Sequence, residues 1–66
     1  MATKIENFEQ VREHVKNLDH NSFTNTDIVK YFENRLNYEQ VKKILASLEE
    51  LGEVKYLEST KIYVRV

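Results

Sequence analysis

The hydrophobic period of the sequence changes at Gly52, which is the only glycine among the 66 residues. In the segment Asn37–Leu51 the apolar residues recur with the spacing of one face of an α-helix. After Gly52 they recur at every second position, as in a β-strand with one buried face. Glycine adopts the left-handed conformation that ends many helices without a Cβ penalty. The pattern therefore predicts a helix over residues 38–51 that ends at Gly52 and leads into strands.

Two predicted helices begin with residues suited to capping. Asn37 is a favourable N-cap residue, and Gln40 follows three positions later, as in a capping box. Thr24 and Asp27 repeat this arrangement, and Asp27 also places a carboxylate in the first turn, where the helix dipole favours it. These signals predict a second helix over residues 25–33. A connection of about three residues joins it to the next helix, which is typical of a helix-turn-helix arrangement.

The N-terminal part of the chain predicts one more helix, over residues 5–18. Its apolar positions recur at spacings of three and four, the pattern of an amphipathic helix: Phe8, Val11, Val15 and Leu18. Both connections between helices are polar. Asp19–Ser22 has the composition of a loop, and Asn34 is the residue best able to adopt a left-handed turn in the second connection.

The segment after Gly52 predicts a β-hairpin over residues 53–66. Two alternating runs flank the short polar segment Glu58–Thr60. In the second run Ile62 and Val64 fall on the more apolar face, and Tyr63 falls on the other. The predicted fold class is therefore α+β: a three-helix bundle with a helix-turn-helix, then a C-terminal two-stranded β-hairpin, in a single domain over residues 1–66.

Composition narrows the chemistry that we expect. A chain of this length buries only about 60% of its unfolded surface, so little core is left to enclose a site. There is no cysteine, and His14 and His20 have no third ligand at a matching spacing, so we interpret both histidines as surface residues. A single glycine cannot form a phosphate-cradling loop. We therefore expect no metal, no cofactor, no small-molecule substrate and no catalysis.

Hydropathy and charge bear on location and partners. No apolar run approaches the roughly 18 residues of a membrane span, and the charged N-terminus lacks the apolar region of a signal peptide. We therefore expect a cytoplasmic protein without membrane contact. The formal net charge of −1 does not by itself predict binding to nucleic acid.

The order of the predicted elements and two segments of sequence resemble the winged-helix superfamily. The segments are Phe23–Ile28, FTNTDI, and Val41–Val54, VKKILASLEELGEV. Bacterial and archaeal winged-helix regulators often place Thr, an acid and an aliphatic residue at the start of helix two. They often end helix three with Leu, two charges, Leu or a close relative, Gly and an aliphatic residue. The resemblance covers nearly the whole chain and implies that helix three lies in the DNA major groove while the hairpin contacts backbone or minor groove.

The outer face of the predicted third helix is the candidate DNA-binding surface. In the major groove, Gln40 can read adenine, and Lys42 and Lys43 can reach guanine or phosphate. An alternative interpretation is a solvated face on which Glu39 and Lys43 form an ion pair one helical turn apart. The predicted DNA-binding residues are Asn37, Tyr38, Gln40, Lys42, Lys43, Ser47, Arg35 and Lys61.

The charges are unevenly distributed along the chain. Residues 30–43 carry four basic against two acidic side chains, whereas residues 1–29 carry three basic against five acidic ones. In the hairpin, Lys61 is nearest the predicted loop tip and is the candidate for a backbone contact. Lys55 and Arg65 fit equally well as charges that keep other strands from pairing with an edge. The helix-turn-helix side is therefore the basic side.

Two classes of function remain open. The leading hypothesis is a small transcriptional regulator that binds double-stranded DNA sequence-specifically. It would act as a homodimer, because few phosphate contacts make a monomer bind weakly. By family analogy, such regulators occur in microbes, viruses and mobile elements. The alternative is a winged-helix protein–protein interaction module without DNA binding, which the near-neutral charge and the wide apolar arc of helix two around Tyr31 favour.

Overall fold

The computed structural model describes residues 4–33 and 35–66. It confirms the α+β class, with three helices followed by a C-terminal hairpin. The predicted helices extend one or two residues too far at their C-terminal ends. Within the described ranges no helix has the length and apolar character needed to cross a membrane. The elements are α1 (Lys4–Lys16), β1 (Ser22–Phe23), α2 (Asn25–Tyr31), α3 (Tyr38–Glu50), β2 (Val54–Leu57) and β3 (Ile62–Arg65).

Both predicted capping boxes are confirmed. The Thr24 hydroxyl oxygen accepts from the Asp27 amide at 3.1 Å, and the Asp27 carboxylate accepts from the Thr24 amide at 3.0 Å. At α3 the side-chain Oδ1 of Asn37 accepts from the Gln40 amide at 2.8 Å, and Gln40 Oε1 accepts from the Asn37 amide at 2.9 Å. These bonds satisfy amide groups at each helix start that have no partner within the helix.

Gly52 ends α3 as predicted, with a φ of 78°. Its amide donates to the carbonyl of Glu49 at 3.0 Å, and the amide of Glu53 donates to the carbonyl of Leu48 at 3.0 Å. This pair of bonds is the Schellman motif, which satisfies the last carbonyls of a helix. The reversal directs the chain from α3 straight into β2.

Replacing Gly52 with alanine is expected to lower the free energy of unfolding by about 1–2 kcal/mol, the cost of a left-handed residue with a Cβ. An added Cβ would meet no atom within 4 Å, so backbone conformation alone sets this cost. The shift of the urea midpoint measures it. Gly52→Asn serves as the control and should cost less, since asparagine tolerates this conformation better. Equal costs for the two variants would contradict the explanation.

The sheet has three antiparallel strands in the order β1-β3-β2, so the predicted two-stranded hairpin is incomplete. The additional strand, β1, lies partly in the segment predicted to be a loop, and Phe23 of β1 pairs with Tyr63 of β3. Tyr63, rather than Ile62 or Val64, packs against the core, so the predicted face of β3 is wrong. The reason is the pairing with β1, which fixes the orientation of β3 and which local alternation cannot reveal.

Among residues 4–33 and 35–66, two residues other than glycine adopt left-handed conformations, and both lie in turns. Glu33 does so after α2, with a φ of 52°, and Lys61 does so before β3, with a φ of 59°. The Lys61 amide donates to the carbonyl of Leu57 at 2.7 Å, which closes the β2–β3 turn. The prediction for Asn34 lies outside the described residues.

The hydrophobic core lies between the three helices and one face of the sheet. Phe8, Leu18 and Ile44 are partly buried against it. Leu51, predicted on the core face of α3, is instead 60% exposed because the helix ends there. The buried apolar residues are Val11, Val15, Phe23, Ile28, Phe32, Leu36, Val41, Leu45, Leu48 and Val54.

Candidate nucleic-acid interface

Helix α3 presents one face to the core and the opposite face to solvent. Val41, Leu45 and Leu48 are fully buried. The exposed positions include Glu39, Lys42, Lys43, Ala46 and Glu50. The spacing of three and four residues fixes this division, because such positions share one side of a helix.

The structure separates the predicted DNA-binding residues of α3 into two rows. Tyr38 and Lys42 border a groove between α3 and the sheet, and Lys61 lies in the same groove. Gln40, Lys43 and Ser47 border a second groove, between α3 and the start of α1. Six of the eight predicted residues therefore border the exposed face of α3 from its two sides.

Capping limits the predicted roles of Asn37 and Gln40. A bidentate contact to adenine needs the side-chain oxygen of Gln40 as acceptor and its nitrogen as donor. That oxygen already accepts from the Asn37 amide. Similarly, the Ser47 hydroxyl donates to the carbonyl of Lys43 at 3.3 Å. With the capping box closed, one of the two lone pairs of the Gln40 oxygen is already used, which restricts its contact to adenine, and Ser47 is left mainly as an acceptor.

Arg35 lies in the connection between α2 and α3. Its Nε donates to the carbonyl of Phe32 at 3.2 Å, and its guanidinium carbon lies 5.6 Å from the centre of the Phe32 ring. This bond uses only Nε, so the terminal nitrogens keep their donors for a phosphate. Arg35 is thus positioned at one edge of the candidate surface.

The groove between α3 and the sheet, which we call the tyrosine groove, encloses about 420 Å³. It contains positive charge on both walls, from Lys42 on α3 and from Lys61 on the β2–β3 turn. Five of its residues are absent from the predicted set: Asn25, Ala46, Glu49, Tyr56 and Tyr63. Its lining residues are Asn25, Tyr38, Lys42, Ala46, Glu49, Tyr56, Lys61 and Tyr63.

A row of aromatic rings crosses the sheet at the floor of the tyrosine groove. Phe23, Tyr63 and Tyr56 are successive partners on the three strands. The rings of Phe23 and Tyr63 are stacked with centres 5.7 Å apart, and those of Tyr63 and Tyr56 are tilted by 50° with centres 4.9 Å apart. Direct cross-strand partners lie on the same face of a sheet, so strand pairing would have revealed the row had β1 been predicted.

The surroundings of the Tyr63 phenol favour its neutral form. Burial raises the pKa of Tyr63, and the proximity of Tyr56, Glu49 and Tyr38 raises it further. At neutral pH this phenol is therefore protonated and can donate a hydrogen bond.

Asn25 is a buried polar residue beside the tyrosine groove, with 7% of its surface exposed. Its Nδ2 donates to the carbonyl of Tyr38 at 3.4 Å. This contact fixes the side-chain amide, because a carbonyl can only accept. Asn25 Oδ1 is then a buried acceptor without a donor among the described residues. Such groups are uncommon in folded proteins.

The ion pair between Glu39 and Lys43, which belonged to the alternative interpretation of the α3 face, is not formed. Within the described part of the chain, the ion pair lies elsewhere and joins Arg12 of α1 to Glu53 after α3. Arg12 Nε donates to one carboxylate oxygen of Glu53 at 3.0 Å, and Nη2 donates to the other at 2.5 Å. Hydrogen bonding to Arg12 lowers the pKa of Glu53.

Arg65 has a structural position rather than an interfacial one. Its Nη1 donates to the carbonyls of Val15 at 3.2 Å and Lys16 at 2.8 Å, and Nη2 donates to Asn21 Oδ1 at 2.9 Å. Carbonyls at a helix C-terminus lack partners within the helix, and a cation there is favoured by the dipole. Arg65 therefore caps α1, whereas Lys55 is exposed on β2.

His14 is not the solvated surface residue that the sequence predicted. Its ring stacks on Tyr31 with centres 3.7 Å apart and meets the edge of Phe32 at 5.8 Å. Burial lowers the pKa of His14. No cluster of three metal-ligating side chains occurs among residues 4–33 and 35–66.

The free energy of unfolding is expected to fall as the pH drops below about 6.5, the ordinary pKa of histidine. The folded protein holds His14 at a lower pKa, so the unfolded chain binds a proton first and the folded state loses relative stability. Urea titrations across this window measure the loss. His14→Phe keeps a ring against Tyr31 and should remove this component. A second loss of stability, near and below pH 4.5, should persist in that variant. There the unfolded chain protonates Glu53 before the folded protein does, because the pKa of Glu53 is lowered in the folded state.

Comparisons of the chain with models of protein families, with curated proteins and with solved structures find no match. Any assignment of function therefore depends on the residues and geometry described above.

Proposed function

We propose that this protein is a winged-helix DNA-binding protein that places α3 in the major groove of duplex DNA and acts as a transcriptional regulator. The observation that carries the proposal is the placement of three exposed lysines around the outer face of α3. Lys42 and Lys43 lie on the helix, and Lys61 lies on the β2–β3 turn, which would be the wing. The order of three helices and a hairpin is compatible with this assignment.

The shape of α3 supports entry into a groove. The helix has 13 residues and thus a length of about 20 Å. Ala46 at the centre of its exposed face leaves room for close approach, and Tyr38 can pack on sugar or base. Glu39 and Glu50 share this face and repel phosphate, so the lysines must supply the attraction.

A homodimer is part of the proposal. A subunit with about three to five phosphate contacts has a modest affinity that falls steeply with salt. Two subunits would place their α3 helices about one DNA turn, roughly 34 Å, apart and read a palindromic site.

Selection of bound sequences from a pool of random duplex DNA, at a low and a high salt concentration, tests the proposal. We expect enrichment of one sequence family, with an affinity that decreases steeply with salt. A palindrome in that family would support the dimer. Absence of binding even at low salt would refute the DNA-binding function.

A second candidate function is a protein-interaction module that uses α2. The observation that favours it is Tyr31, which is 60% exposed although it stacks on His14. Exposed aromatic residues are enriched at protein interfaces. Under this candidate, Tyr31→Ala weakens partner binding, whereas under DNA binding it leaves the affinity for duplex unchanged.

A further inference from the structure

We infer that the tyrosine groove binds one unpaired nucleotide, so that the protein prefers a nucleic acid with an unpaired segment over a fully paired duplex. This inference rests on the proposed nucleic-acid function and specifies the form of nucleic acid that the same side of α3 accepts. The groove volume of about 420 Å³ is within the usual range of small-ligand sites, about 300–1,000 Å³.

The groove offers tyrosine rings on which the face of a base can stack. Tyr38 is 54% exposed on the α3 wall, and Tyr56 is half-buried on the sheet wall. Tyr63 is stacked on Phe23 at its back, which holds the floor in place. Bases stack on tyrosine rings irrespective of sequence, but only when they are free of their neighbours in the duplex. A groove with three tyrosines is therefore suited to a base outside the helical stack.

The two lysines of the groove match the phosphates of the same nucleotide. Lys42 lies on the α3 wall and Lys61 on the opposite wall, so a strand whose base enters the groove has a cation on each side. The hydrogen bond from the Lys61 amide to Leu57 fixes the backbone that carries the second cation. Positive charge combined with stacking rings is the usual composition of sites for single strands.

The remaining polar groups favour a base that carries an amino group. Glu49 is an exposed carboxylate on the groove, and Asn25 Oδ1 is a buried acceptor that lacks a donor among the described residues. Both groups are acceptors of N–H donors. A carboxylate accepts from the N4 amino group of cytosine, whereas thymine presents a carbonyl at the corresponding position. Cytosine is therefore expected to bind better than thymine.

Fluorescence anisotropy with three labelled DNA probes tests the inference: a blunt duplex, the same duplex with a single-stranded cytosine tail, and the same duplex with a thymine tail. We expect the cytosine-tailed probe to bind most tightly. Tyr38→Leu should weaken binding to the cytosine-tailed probe by about 5- to 150-fold, the range for loss of one base–aromatic stack. Binding to the blunt duplex should weaken by a smaller factor, because there Tyr38 loses only its packing on the outside of the duplex. A cytosine tail made of RNA shows whether the groove distinguishes ribose from deoxyribose.

Two further variants make the result decisive. Tyr56→Leu should reproduce the loss from the sheet wall, and circular dichroism verifies its fold, since Tyr56 is half-buried. Tyr31→Leu removes an equally exposed tyrosine outside the groove and should change no affinity. Equal affinities for tailed and blunt probes, or equal losses on both in Tyr38→Leu, would overturn the inference.

The same probes separate this inference from the proposed function. Binding to the blunt duplex with no gain from a tail would support the duplex-binding function and refute the nucleotide site. Tail-dependent binding without affinity for the blunt duplex would support the nucleotide site and refute the duplex-binding function. Absence of binding to every probe would refute both.

Discussion

Replacing both Lys42 and Lys43 with glutamate is expected to lower the affinity for duplex DNA by about 100-fold or more. Under the proposed function each lysine would supply a hydrogen bond to a phosphate, of about 1.5–3 kcal/mol, and each glutamate would add repulsion. The slope of log K against log salt should also become shallower by about two units, because about two phosphate contacts are lost. Anisotropy titrations at several salt concentrations measure both quantities.

The charge-matched control reverses two exposed lysines away from the candidate surface, Lys30 on α2 and Lys55 on β2. It changes the net charge by the same amount and should reduce the affinity far less. Neither double variant should change the free energy of unfolding, measured in urea, by more than about 0.5 kcal/mol, since all four side chains are exposed. An unchanged affinity in the Lys42 and Lys43 variant would show that α3 is not the DNA-binding element.

Arg65→Ala is expected to lower the free energy of unfolding by about 2 kcal/mol. The variant removes the guanidinium that donates to Val15, Lys16 and Asn21, and hydrogen bonds from a charged donor contribute about 1.5–3 kcal/mol. Water can reach part of the site after truncation, so the lower half of this range applies. A domain of this size has a total stability of about 3–10 kcal/mol, so the loss is a large share.

Urea denaturation at neutral pH measures this loss as a lower midpoint with an unchanged slope. Arg65→Lys is the control, because it keeps a cation at the end of α1, but its three N–H donors lie on one nitrogen and do not reproduce the spread of the guanidinium donors. It should recover only part of the stability. Full recovery would mean that the charge, rather than the branched hydrogen bonding, stabilises the end of the helix.

The features that the sequence predicted well depend on short-range interactions. The Thr24 and Asn37 caps each involve bonds between residues three apart, and the end of α3 depends on the conformation of Gly52 alone. Such features follow from residue type and spacing because the partners are neighbours in the chain. The burial of the inner face of α3 follows similarly from helical periodicity.

The features that the sequence did not predict depend on partners far apart in the chain. β1 has only two residues, too few to show alternation, and it exists through its pairing with β3. Arg65 fitted a backbone contact or an edge charge equally well, and its actual role depends on the position of α1. The stack of His14 on Tyr31 likewise requires α1 and α2 to be packed together.

The candidate site contains both predictable and unpredictable features. Lys42, Lys43 and Lys61 were predictable as exposed cations on a helix face and a turn. The tyrosine groove was not, because Tyr56 and Tyr63 meet through strand pairing and Asn25 comes from another helix. The use of the Gln40 side-chain oxygen in the α3 capping box, in contrast, followed from the sequence.

The strand order β1-β3-β2 has a consequence for the order of events on the ribosome. β1 and β2 do not pair with each other. Each pairs with β3, which is synthesised after both. While residues 62–65 are still inside the exit tunnel, the nascent chain can form helices but no sheet, and Phe23 and Val54 remain without their strand partners. Completion of the sheet is therefore a late step that follows translation of β3, and until then Phe23 of β1 is accessible to chaperones and proteases without its strand partner.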